Sequence, residues 1–168
     1  FKEAGIGHAT GPYKINGVTY NSAMLTTDFA ATGTDVFITG VTINDRRRQS
    51  YDFTAPYFEA RQLIAVAANS PVKTVQDLAG KKVAVVTGST ADDVASRAFG
   101  KTSANIRRFD TTPLIISELV NGGVDAAIGD NGVIAYRVQE HKSLKTVNDP
   151  SLPKEYFVPG MEPGVEAR

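Results

Sequence analysis

Short apolar runs alternate with amphipathic segments between residues 73 and 148, and glycine, proline or small polar residues separate them. Short apolar runs bounded by turn signals predict buried strands at 82–86, 106–109, 124–128 and 145–147. Periodic apolar positions predict helical segments at 74–78, 91–99, 112–120 and 133–140. Because strand and helix alternate at least three times, the pattern predicts a parallel sheet covered by helices.

Local capping signals support three of these helices. Asp92 and Asp93 lie in the first turn of the helix at 91–99, where the helix dipole favours acidic groups. Thr112-Pro113 places proline at the start of the next helix, a position that proline tolerates well. Asp130-Asn131 precedes the third helix and is typical of an N-terminal cap.

The first 72 residues carry weaker patterns. Asn16-Gly17 separates two β-prone runs within 13–20 and predicts a hairpin. Residues 21–31 predict a short and weak helix, because threonines lower their helix propensity. Residues 35–39 predict a buried strand, and residues 59–68 predict a second strand.

Composition excludes several classes of function. The 168 residues hold 18 Lys and Arg against 18 Asp and Glu, so the zero net charge argues against nucleic acid or an anionic membrane as partner. No apolar run approaches the roughly 18 residues of a membrane span. The absence of cysteine excludes disulfides, zinc–thiolate sites and thiol nucleophiles. No catalytic or metal-binding motif is present, so we expect no cofactor, no metal and no enzymatic activity.

Three places carry candidate chemistry, and each also has a plain structural explanation. Arg46–Arg48 follow a predicted strand and offer guanidinium groups to a carboxylate, although such charge runs are usually solvated turns. Gly88-Ser89-Thr90 stands between a strand and a helix and is either an anion site or an ordinary cap. Asp130 ends a strand and either pairs with an ammonium group or caps its helix.

Six ordered segments together resemble one protein family. Residues 35–47 read DVFITGVTINDRR and residues 51–58 read YDFTAPYF, similar to a D-x-x-x-x-G-x-T-x-T-x-x-R … D-F-S-x-P-Y-Y signature. The other four segments are DLAGKKVAV at 77–85, GST at 88–90, VDAAIGD at 124–130 and LPKEYF at 152–157. They resemble the polar amino-acid solute-binding proteins of bacterial ABC transporters, known as extracellular solute-binding family 3. The resemblance covers residues 35–157.

The resemblance implies an α/β, type 2 periplasmic-binding-protein-like fold of two lobes, each a mainly parallel sheet flanked by helices. It implies a first lobe at 1–62 whose hinge strand begins near 59, a second lobe at 63–152, and a return hinge strand and tail at 153–168. Residues 1–34 match the family pattern poorly, and the chain ends near the return strand. We therefore expect an incomplete first lobe.

The resemblance also implies one ligand site made of six residues, Gly40, Thr42, Arg47, Ser89, Thr90 and Asp130. Arg47 would bind the α-carboxylate of an amino acid, helped by Thr42 and by the amides and hydroxyls of Ser89 and Thr90. Asp130 would bind the α-ammonium, with the carbonyl of Gly40 as a second acceptor. Arg46 and Arg48 stay solvated in this interpretation.

The implied function is that of an extracytoplasmic receptor, which captures an L-amino acid between its lobes and delivers it to the membrane subunits of an ABC importer. The implied location is the periplasm or the cell surface, with a signal peptide removed and a lipid anchor in the precursor as an option. Three alternatives stay open at this point. They are an enzyme resembling cyclohexadienyl or arogenate dehydratases, a sensor module on the same core, and a fragment that binds nothing.

Overall fold

The computed structural model describes residues 13–15, 18–20, 36–38 and 40–161. The chain divides into two compact units, the first made of residues 1–60 and 154–168 and the second of residues 61–153. The weak helix predicted at 21–31 lies outside the described residues.

The first unit contains the predicted hairpin and a small sheet. Strands β1 (Tyr13–Ile15) and β2 (Val18–Tyr20) pair in antiparallel fashion with Ile15 opposite Val18, which confirms the hairpin prediction. The small sheet consists of β3 (Val36–Phe37), β4 (Asp52–Phe53) and β11 (Gly160–Met161). Strand β11 lies in the middle and is antiparallel to both neighbours.

Two expectations for this unit were wrong in part. The strand predicted at 35–39 is β3, Val36–Phe37, and Ile38 beyond it is 63% exposed and not buried as predicted. In the part of the chain that the structure describes, β3 lies at the edge of its sheet and pairs with β11, so a neighbouring strand covers one side of it. The segment after the return strand is not wholly a tail, since Gly160–Met161 form β11. Backbone pairing of this kind needs no apolar periodicity, so the sequence pattern did not reveal it.

The second unit is built on a central sheet. Its strands are β5 (Phe58–Ala67), which begins in the first unit, β6 (Val83–Val86), β7 (Ile106–Phe109), β8 (Ala126–Asp130) and β9 (Leu144–Val147). A 3-10 turn, Gln76–Leu78, precedes β6. The helices are α2 (Thr90–Phe99), α3 (Thr112–Val120) and α4 (Asn131–Val138). Each of these elements lies within a few residues of its predicted position.

Strand order in this sheet is β5-β8-β6-β7, and β9 pairs with β5 on the side away from β8. The return strand β10 (Lys154–Phe157) pairs with β5 as well. Strand β6 is parallel to β7 and β8, as predicted, but β5 is antiparallel to β8 and β9. The sheet is therefore mixed.

Helices cover both faces of this sheet, which makes the unit a three-layer α/β structure. One face carries Ile64, Val85 and Ile128 and packs against Val94 and Ala95 of α2. The opposite face buries the side chains of Ala65, Ala84, Ala127, Ile115, Leu119, Ile134 and Val138, the last four from α3 and α4. Because β6 and β8 are parallel, their carboxyl ends and the helix starts that follow them lie at one edge of the sheet. No helix in the described part of the chain is long and apolar enough to cross a membrane.

Candidate functional site

Arg47 lies on a short helical turn that the sequence did not predict. This turn, α1 (Asp45–Arg48), begins after Asn44, whose side-chain oxygen accepts a hydrogen bond from the Arg47 backbone N–H at 2.8 Å. Arg46 and Arg48 are exposed, whereas Arg47 is half-buried. The Arg47 Nη1 donates to the backbone oxygen of Thr42 at 2.6 Å. Arg47 is thus the half-buried arginine of this run, and its guanidinium is hydrogen-bonded to the backbone of Thr42.

Thr42 connects this arginine to a buried acid. Thr42 is 6% exposed, and its hydroxyl donates to Glu155 Oε2 at 2.9 Å. A hydroxyl has one hydrogen, so a contact from Oγ1 to a ligand carboxylate would require the bond to Glu155 to break. Thr42 therefore supports Arg47 through its carbonyl. Sequence reasoning missed Glu155 as a contributor, although it lies within the quoted LPKEYF segment.

Gly40 is exposed and lies in a bend. A methyl group at this position would come within 3.6 Å of the Phe157 ring, so Gly40 lies close to that ring. Phe157 in turn stacks on Phe58, with ring centroids 5.6 Å apart. In the first unit, Gly40 and Thr42 therefore each contact a residue of β10, and Arg47 contacts Thr42.

Ser89 acts as a helix cap in the second unit. It is the N-cap of α2, where its hydroxyl oxygen accepts from the Asp92 N–H at 3.2 Å and its hydrogen goes to the Val86 carbonyl at 2.7 Å. Gly88 before it has a φ of 69°, in the left-handed region that favours glycine. The capping explanation therefore holds for the Ser89 side chain.

Asp92 fixes the same turn from within the helix. Its carboxylate accepts from the Gly88 N–H at 3.1 Å, from Ser96 Oγ at 3.1 Å, and from Arg108, the closest contact being 2.9 Å. Burial alone would raise the pKa of Asp92, but the hydrogen bonds from Arg108, Gly88 and Ser96 outweigh it and lower that pKa below its usual value. The sequence indicated only an acid at a helix start, because the partner Arg108 comes from β7.

Asp130 does not serve the role that its position predicts. It is the N-cap of α4, yet its side chain makes no capping hydrogen bond. Instead, Oδ1 accepts from Gln62 Nε2 at 2.7 Å, and the same nitrogen donates to Thr90 Oγ1 at 3.0 Å. Gln62 is fully buried. Sequence reasoning missed Gln62, although a polar residue between the apolar positions Ala60 and Ile64 of a strand was a usable signal.

The structure brings Ser89, Thr90 and Asp130 to one edge of the second unit, while Gly40, Thr42 and Arg47 belong to the first unit. The described residues contain no group of three His, Asp or Glu side chains that could hold a metal ion. The first unit thus contributes a fixed guanidinium, that of Arg47, and the second contributes a fixed carboxylate, that of Asp130.

Comparison with known proteins extends the resemblance upstream. The family model of the bacterial extracellular solute-binding proteins, family 3, matches residues 4–149. Residues 4–34, which we expected to match poorly, are therefore part of the match. A probable histidine-binding protein of Neisseria gonorrhoeae is 40% identical over 136 residues, which are 79% of this chain and 51% of that protein. The amino-acid-binding protein AabA of Dichelobacter nodosus is 29% identical over 79% of this chain and 53% of its own length.

Solved structures agree with these relatives. The arginine-, lysine-, histidine-binding protein ArtJ of Geobacillus stearothermophilus has a TM-score of 0.79 and 34% identity, covering 92% of this chain and 78% of that one. Holo ArgBP from T. maritima has a TM-score of 0.77 and 30% identity, covering 87% and 64%. These matches confirm the expected type 2 periplasmic-binding-protein-like fold class. The chain spans about half the length of the curated relatives it matches. It belongs to the bacterial extracellular solute-binding proteins of family 3.

Proposed function

We propose that this chain is an extracytoplasmic receptor that binds an L-amino acid and delivers it to the membrane subunits of an ABC importer. One observation carries the proposal. The Asp130 carboxylate stands at a helix start without capping it, and a buried neutral amide holds it instead. A carboxylate oriented by a neutral amide presents its oxygens as acceptors that suit a cation, here the α-ammonium of the ligand.

Arg47 supplies the complementary charge. Its guanidinium offers a planar fork that matches a carboxylate, and the Thr42 carbonyl holds one end of it. We assign the ligand α-carboxylate to Arg47, with the hydroxyl and amide of Thr90 as further donors and Thr42 as support. Ser89 shapes this turn through its cap, because its hydroxyl hydrogen goes to the Val86 carbonyl. The Gly40 carbonyl is the second acceptor for the ammonium. Each charge of the zwitterion then meets its opposite.

Basic amino acids are the first ligand candidates, and histidine is the first of them. The relative from Neisseria gonorrhoeae is named as histidine-binding, and ArtJ as binding arginine, lysine and histidine. The relatives are named as binding proteins, which favours a receptor over an enzyme. The family description as extracellular supports a location in the periplasm or at the cell surface.

Isothermal calorimetry of the 168-residue chain against the twenty amino acids, after unfolding and refolding to remove carried ligand, tests the proposal. We expect micromolar binding of one or a few basic amino acids. Turnover of prephenate or arogenate would favour the enzyme. A folded chain that binds no amino acid would refute the receptor and favour a non-binding fragment.

Arg47→Ala tests the carboxylate assignment. Because the variant leaves a bound carboxylate without its charged partner, we expect affinity to fall at least about 30-fold. Arg48→Ala is the matched control, since Arg48 is on the same helical turn but exposed, and it should change affinity little. Arg47→Lys keeps the charge but not the fork and should bind at an intermediate level. Equal losses in the two alanine variants would show that Arg47 is not the specific contact.

A further inference from the structure

The fully buried side chain of Gln62 contacts two of the residues that we assign to the ligand. Its exposed fraction is 0%, and it lies on β5. Its Nε2 donates to Asp130 Oδ1 at 2.7 Å and to Thr90 Oγ1 at 3.0 Å. Gln62 was not among the residues predicted for the site, and it is too buried to be a surface contact.

The orientation of this amide follows from its partner. An ionised carboxylate accepts hydrogen bonds and donates none. The amide atom that lies 2.7 Å from Asp130 Oδ1 must therefore be the nitrogen, because an oxygen there would face the carboxylate with no hydrogen between them. The NH2 group of Gln62 has two hydrogens, one for Asp130 and one for Thr90.

Strand register puts Gln62 where these contacts are available. Gln62 is paired directly with Asp130 in the antiparallel β5–β8 ladder. Side chains alternate between the two faces of a strand, so Gln62 shares a face with Ile64 and Val66, which pack in the core under α2. Thr90 is the first residue of that helix. An apolar residue would simply continue this stripe. Burying a carboxamide instead costs free energy, and the two hydrogen bonds from Nε2 offset part of that cost.

The amide also sets the polarity of both partners. Gln62 is neutral, so it orients the Asp130 carboxylate without cancelling its charge. Lys or Arg at this position would cancel that charge. The Thr90 oxygen accepts from Gln62, so the hydroxyl hydrogen of Thr90 is directed away from that amide. Asp130 is an acceptor whatever its neighbour, so the effect of Gln62 is to orient that carboxylate and to turn the Thr90 hydroxyl hydrogen away from the amide.

We propose that Gln62 is a positioning residue for ligand binding, which holds Asp130 toward the α-ammonium and directs the Thr90 hydroxyl toward the α-carboxylate. This inference rests on the proposed function, because it assigns Gln62 a role in the same site. It predicts that Gln62 acts on affinity through Asp130 and Thr90 and makes no contact with the ligand.

Gln62→Met, in the full 168-residue chain, is the first test. Methionine is unbranched and similar in size, so it fills the same space without donating. We expect calorimetric affinity for L-histidine and L-arginine to fall about tenfold, since a hydrogen bond to a charged group is lost. Gln62→Leu is a second apolar variant with the same expectation. Ile64→Val is the matched control, because it weakens packing on the same face of the same strand but leaves the amide intact, and its affinity should equal that of wild type.

A double-mutant cycle with Asp130→Asn separates positioning from a merely structural role. If Gln62 acts through Asp130, adding Gln62→Met to Asp130→Asn should cost less than about threefold more. Losses that multiply in full would overturn the inference. So would wild-type affinity in Gln62→Met while the wild-type chain binds normally, and in that case the proposed function would stand. If the wild-type chain itself bound neither amino acid, nor any other, the proposed function would fail and this inference with it.

Discussion

Gly129 is the position at which one added carbon should disturb the site most directly. It is the residue before Asp130 on β8, and a Cβ there would lie 3.0 Å from Ile134 Cγ1 and 3.1 Å from Ile134 Cδ1. Ile134 is fully buried in α4, so its side chain has no open space to enter. The φ of Gly129 is outside the left-handed region, so the cost of Gly129→Ala is steric alone.

The magnitude follows from these two distances. Carbon atoms in contact prefer about 3.5–4.0 Å, so each contact is short by roughly 0.5 Å. Forcing an extra carbon into a packed core costs about 1–3 kcal/mol, and the lower entropy of unfolded alanine relative to glycine returns about 0.4–1 kcal/mol. We expect a net loss of about 1–2 kcal/mol in the free energy of unfolding. Because α4 begins right after Asp130, affinity for the amino acid should fall as well.

Urea unfolding followed by circular dichroism measures the stability change, and calorimetry measures the affinity. Gly132→Ala is the matched control, since Gly132 is in α4 and a Cβ there meets nothing within 4 Å. It should be neutral or stabilising, by up to about 1 kcal/mol. Ile134→Val removes Cδ1, one of the two atoms that the new Cβ would crowd. The double variant should therefore lose less unfolding free energy than the sum of the losses in the two single variants. Strict additivity, or equal stability of Gly129→Ala and wild type, would refute the steric argument.

Two further predictions concern hydrogen-bonded acids of the second unit. Asp149 is 1% exposed and accepts from the Val75 N–H at 2.7 Å and the Ser151 N–H at 2.9 Å, so Asp149→Ala should cost about 2 kcal/mol in urea unfolding, and a change below about 0.5 kcal/mol would contradict this. Burial would raise the pKa of Asp149, but hydrogen bonds from Ser151 and Val75 outweigh it and lower that pKa, as they do for Asp92 with its own partners. A lowered folded-state pKa adds stability above the unfolded value of about 3.9, and this stability is lost as pH falls through the folded pKa. The urea midpoint should therefore drop between pH 6 and pH 3, and this drop should be smaller in Asp149→Asn.

Several elements were readable from sequence because their signals are local. Strand β7 occupies the predicted residues 106–109, and α3 occupies the predicted 112–120 with its proline in the first turn. The 3-10 turn before β6 ends at Leu78, and Gly80, two residues later, has a φ of 77°. Caps, proline and glycine act on backbone groups within a few residues, so their effect does not depend on the rest of the fold.

Sequence reasoning failed where a distant partner decides the outcome. Asp130 has every local mark of a helix cap, yet its carboxylate is held by Gln62, which is 68 positions away. The direction of β5 was also unreadable, because its pairing with β8 and β9 depends on how the chain enters the second unit.

By itself, the sequence determined the alternation of strands and helices and the six ordered motifs. The resemblance carried by these motifs predicted Arg47, and not Arg46 or Arg48, as the ligand contact. Tertiary structure alone decided which polar groups meet: Thr42 with Glu155, Asp92 with Arg108, and Gln62 with both Thr90 and Asp130. The physical reason is range. Propensity, capping and periodicity are interactions between near neighbours in the chain, whereas a buried hydrogen bond depends on strand register and helix placement.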